Sequence, residues 1–104
     1  MNPNEKLFLV TRRDLAIGLA AAQIVHASIQ WAIARPRDDV IRWINKSNTV
    51  VLLQTDGEVS LQKLATHPSE VFREPDLNHQ LTAIALDPSV ASKKACRGLQ
   101  LFGK

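Results

Sequence analysis

The feature that most constrains this chain is residues 15–34, LAIGLAAAQIVHASIQWAIA, an uncharged run of good helix formers closed by Pro36. The residue before a proline resists the helical region, so the helix ends there. Its length alone would suit a bilayer. Gln23, His26, Ser28 and Gln30 interrupt it, however, and point to a helix buried in a protein, with no membrane partner. Gln23, His26 and Gln30 stand at i, i+3 and i+7, so they form one polar stripe on an otherwise apolar surface.

The segments around this helix alternate in type. Residues 6–12, KLFLVTR, are apolar and partly β-branched, which predicts a buried strand. Asp14 follows as the expected N-cap of the long helix. RDDVIRWINKS places Val40, Ile41, Trp43 and Ile44 on one side of a shorter helix. Residues 48–55, NTVVLLQT, lack polar alternation, as a strand covered on both faces does. A helix is expected in SLQKLATH, strands in SEVFRE and LTAIAL, and a last helix in DPSVASKKACRG, started by Pro88 or Ser89 and stopped at Gly98. LQLF reads as a closing strand or a tail.

The order β-α-α-β-α-β-β-α predicts an α/β fold: one small domain over residues 1–104, with a mixed, about four-stranded sheet flanked by helices on both faces. The strands at 6–12 and 48–55 should be parallel neighbours or nearly so, joined by a helical crossover. The short link between the third and fourth strands makes that pair antiparallel.

The chain has 104 residues, 45% of them hydrophobic and 22% charged, which suits one folded domain. Its single cysteine, Cys96, allows no internal disulfide and no cysteine-based zinc cage, and it fits a reducing compartment. The N-terminus lacks the apolar core of a signal peptide, so a cytoplasmic location is expected. The net charge is +3. Arg12 and Arg13 form one basic pair, and Lys93, Lys94, Arg97 and Lys104 follow the last acidic residue, Asp87. Such clusters attract phosphate backbones, or simply form a solvated face. There is no glycine-rich phosphate loop, serine-histidine-aspartate order or zinc signature, and no metal or cofactor is expected.

Three stretches, LFLVTRRDL, AAQIVHA and TAIALDP, resemble the type 2 peptidyl-tRNA hydrolases. The corresponding family pattern runs L-V-V-R-x-D-L, then G-K-x-A-A-Q-x-x-H-A, then T-V-L-x-I-G-P. The matches fall in order and span nearly the whole chain. The resemblance implies a small α/β domain that cleaves the ester between a peptide and the terminal ribose of tRNA. It places Arg12, Asp14, Gln23, His26 and Thr82 on family positions. Two departures stand out. Leu19 occupies the place of the family lysine, and EPDLNHQLT replaces an Asp-Ala-Gly-x-Thr turn.

On this reading His26, Gln23 and Asp14 are the candidate catalytic residues. His26 would act as general base, since imidazoles exchange protons near neutral pH. Gln23 would position the ester carbonyl. Arg12, Arg13, Thr82, Lys93, Lys94 and Arg97 would bind peptidyl-tRNA. The alternatives are structural: a core histidine, a glutamine bridging two elements and a capping aspartate. Glu74 and Asp76, around Pro75, form an acidic turn that is exposed, orients His26 or binds a cation. Trp31 and Trp43 read as packing, and Cys96 as an inert thiol. The competing function is a non-catalytic RNA- or protein-binding domain of the same fold, with room for a homodimer.

Overall fold

A computed structural model describes residues 1–104. The chain runs β1 (Leu7–Arg12), α1 (Ile17–Ala34), α2 (Arg37–Lys46), β2 (Val50–Thr55), α3 (Glu58–Leu64), β3 (Ser69–Glu74), a 3-10 turn (Pro75–Leu77), β4 (Gln80–Leu86), α4 (Val90–Ala95) and β5 (Gln100–Leu101). The sheet order is β3-β4-β1-β2-β5. β1 and β2 are parallel neighbours, Leu7 opposite Val50 through Arg12 opposite Thr55. The β1–β4, β3–β4 and β2–β5 pairs are antiparallel. The α/β class and mixed sheet are those the sequence predicts, with five strands rather than about four. The extra strand is Gln100–Leu101, which pairs with Leu53 and Gln54.

Alternation along β1 divides the core between two faces. Leu7 and Leu9 meet Ile24, Ala27 and Trp31 of α1, Trp43 of α2, and Ala83 and Ala85 of β4. Phe8 and Val10 point the other way, to Leu61 of α3, Cys96 after α4, Leu53, Ile84 and Leu86. Trp31 and Trp43 are buried and meet edge to face, their ring centroids 5.4 Å apart. Each indole N–H has an acceptor at 2.8 Å: the Asp87 carboxylate for Trp31 and the Glu5 carbonyl for Trp43. Both tryptophans are therefore packing residues. Arg35 fastens the far end of α1 through Asp87 at 2.8 Å and Glu70 at 2.7 Å.

Asp14 is not the cap of α1. The helix begins at Ile17, its N-cap is Ala16, and no side chain caps it. Arg12 takes the Asp14 carboxylate instead, and a charged, two-pronged bond outcompetes a single backbone N–H. Ser89 does cap α4, accepting from the Ser92 N–H at 2.9 Å.

Candidate functional site

β1 and β2 are the only parallel pair in the sheet, and their carboxyl ends lie beside the start of α1. In open α/β sheets ligands bind outside the carboxyl ends of the strands. There a concavity of about 280 Å³ is lined by Arg12, Arg13, Ile17, Ala20, Gln54 and Lys104, among others. The first turn of α1 holds no acidic side chain and no side-chain cap, so its N–H groups and the positive end of its dipole stay unneutralised there.

Arg12 is 7% exposed, and four of its five N–H groups are engaged. It donates to both Asp14 carboxylate oxygens at 3.0 and 2.9 Å, to Gln80 Oε1 at 2.8 Å and to the Leu81 carbonyl at 3.1 Å. The hydrogen bond from Arg12 holds the Asp14 carboxyl below its ordinary range, outweighing its partial burial. Asp14 is therefore ionised at neutral pH and accepts hydrogen bonds rather than supplying a proton. Arg13 is exposed and pairs with Asp56 at 2.6 Å. Lys104 lines the concavity without a carboxylate partner.

Beneath α1, Gln23 is 1% exposed. Its Oε1 accepts from the Thr82 hydroxyl at 2.8 Å, and its Nε2 donates to Glu74 Oε1 at 3.3 Å. Thr82 meets it because of a bulge. Phe72 pairs with Ala83 and Arg73 with Leu81, so Thr82 is the extra residue and turns toward α1 instead of the α3 face. The Thr11 hydroxyl completes the group by donating to the Thr82 carbonyl at 2.9 Å. Glu74 thus holds Gln23 rather than His26.

His26 is exposed and makes no side-chain hydrogen bond; its ring stacks on Phe72, centroids 4.6 Å apart and planes at 21°. Phe72 lies on β3, at one edge of the sheet, whereas the cation-lined concavity lies against β2 and Phe102, toward the other. The imidazole and the cations therefore flank opposite sides of α1. Leu19 is 37% exposed and lines neither concavity. Lys93, Lys94 and Arg97 are exposed on and just after α4, on the other face of the sheet from Gln23. Cys96 is buried, and burial pushes its thiol up to about 11, which removes it as a nucleophile at neutral pH.

The structure thus gathers Arg12, Arg13 and Asp14 at one mouth and Gln23 with Thr82 just beneath α1, leaving His26 and the α4 cations apart. Sequence reasoning missed Thr11, Gln54 and Gln80, and grouped Lys104 with the α4 cations rather than with Arg13. Thr11 carried a signal, a hydroxyl inside an apolar strand. The other two depend on pairings across the sheet. A scan against protein-family models and a search of curated proteins found no match to this chain.

Proposed function

We propose that this chain is a divergent peptidyl-tRNA hydrolase-like protein that receives the acceptor end of tRNA at the carboxyl ends of β1 and β2. One observation carries the reading: Arg13 and Lys104 line a concavity beside an uncapped helix N-terminus, and Arg12 lines it too with its guanidinium held by Asp14, Gln80 and the Leu81 carbonyl. Cations and free backbone N–H groups together suit phosphate oxygens. In the hydrolytic form, the His26 imidazole takes a proton from the attacking water. The tetrahedral intermediate then collapses, the proton passes to the ribose oxygen, and a free peptide acid and tRNA leave.

A second reading is binding without hydrolysis, and a specific observation favours it. The Gln23 amide is spent on Thr82 and Glu74, and His26 lies across α1 from the cations. Leu19 supplies no charge for a developing oxyanion. Losing one preorganised donor costs about a hundred- to a thousandfold in rate.

Release of tRNA from labelled peptidyl-tRNA separates the two. The hydrolytic reading expects slow turnover by the native chain, abolished in His26→Ala and raised in Leu19→Lys. Turnover indifferent to His26→Ala contradicts the general-base role. Binding of tRNA with no turnover in any of the three, their folding verified by circular dichroism, favours the second reading. No binding at low salt contradicts both.

A further inference from the structure

Along β2 the side chains of residues 50, 52 and 54 share one face, and the first two are valine and leucine. The third is Gln54, 7% exposed, in the lining of the cation-bearing concavity. A buried amide is costly unless its polar atoms find partners, and an apolar side chain there would avoid the cost. Gln54 finds all its partners on one segment. Its Nε2 donates to the Lys104 carbonyl at 2.6 Å and to Gln100 Oε1 at 3.0 Å, and its Oε1 accepts from the Gly103 N–H at 3.3 Å. With both N–H groups taken, Gln54 has no donor left for a ligand.

The two cations at the mouth depend on that segment. Lys104 belongs to it, and Arg13 Nη1 donates to the same Gln100 Oε1 at 3.4 Å, its carboxylate partner being Asp56. Little else fixes the segment. β5 is two exposed residues long, and one further backbone bond runs from the Phe102 N–H to the Leu52 carbonyl at 2.9 Å. Gly98 and Gly103, both at φ 88°, turn the chain before and after it. A long cationic side chain loses rotamer freedom when it closes on a phosphate, which costs roughly two- to tenfold in affinity for each one immobilised. Holding the backbone of Lys104 and the acceptor that orients Arg13 removes part of that cost before binding.

We propose that Gln54 is a positioning residue of this phosphate site, setting Lys104 and Arg13 over the concavity without touching the ligand. The inference rests on the phosphate-binding reading given above.

Fluorescence anisotropy of a labelled acceptor-stem minihelix ending in CCA, titrated with the full chain over a salt series, tests it. Gln54→Leu should weaken binding roughly tenfold and lower the salt slope by about one, because a cation no longer reaches its phosphate. In a Lys104→Gln background the same change should cost much less, since the cation it positions is already gone. A residue that only steadies the sheet gives two independent losses and an unchanged slope. Gln100→Ala, at an exposed residue, guards against a fold defect: it should weaken binding in the native background and do nothing in Arg13→Gln. Native affinity in Gln54→Leu, or losses that multiply in full with Lys104→Gln, overturns the proposal and leaves the phosphate reading standing. So does a Gln100→Ala effect that persists without Arg13. A native chain that binds no minihelix at low salt overturns the phosphate reading, and this inference falls with it.

Discussion

Thr82 faces α1 only because β4 carries an extra residue there, and its hydroxyl is what keeps the buried Gln23 carbonyl oxygen satisfied. Thr82→Val removes the donor and leaves that oxygen stranded, at an expected cost of about 1–3 kcal/mol in urea unfolding. Adding Gln23→Met removes the stranded oxygen, so the double variant should lose less than the two single costs combined. Asp14 gives a pH signature. Its carboxyl is lowered from 3.8 by Arg12, so its stabilisation is complete above that pH and is lost as the pH falls below it. The side chain is 47% exposed, so solvent screening keeps the effect small, and Asp14→Asn should flatten only the most acid part of the stability curve. Cys96 works oppositely. Its raised value makes the folded state favour the thiol, and the associated stability is lost as the pH rises from 9.0 towards about 11. Thiolate absorbance of the native protein should therefore rise near pH 11, not near 9. At this scale the sequence was legible where chemistry is local, as with the inert thiol and the packed tryptophans. It misled at Asp14, where a cap and an arginine partner compete within the same few residues.

Among the elements, α1 and the β1–β2 pair were legible because each is a mainly apolar run with a clear stop, although β2 is partly exposed from Val50 to Leu52 and not covered on both faces. The bulge in β4 was not, since a bulge is a property of two paired strands and Thr82 looks like an ordinary strand residue in its own sequence. β5 was legible only as one of two alternatives, a closing strand or a tail. Its two residues are held by β2 and by Gln54, which donates to the Lys104 carbonyl at 2.6 Å and to Gln100 Oε1 at 3.0 Å and accepts from the Gly103 N–H at 3.3 Å. Gln54→Leu should loosen the closing segment without unfolding the sheet. The readout is hydrogen exchange of the Phe102 amide, which donates to the Leu52 carbonyl at 2.9 Å and should exchange roughly tenfold faster or more. Unchanged exchange would mean that strand pairing alone holds the segment.

Over the whole molecule, alternating strands and helices specified the class and the parallel pair. The positions of the cations had to wait for the fold. Residues 93–97 and residues 12–13 look alike as basic clusters in sequence, yet the sheet places them on different surfaces. On the proposed function, the mouth lined by Arg13 and Lys104 beside Arg12 receives the acceptor end of tRNA. A nitrogen–proton correlation spectrum of the labelled native chain, titrated with a deacylated acceptor-stem minihelix ending in CCA, tests this most directly. The claim predicts shifts concentrated in residues 12–20 and 100–104, weakening steeply as salt is raised because phosphate contacts release counterions. Shifts confined to Lys93, Lys94 and Arg97 would contradict it, and so would a spectrum unmoved at low salt.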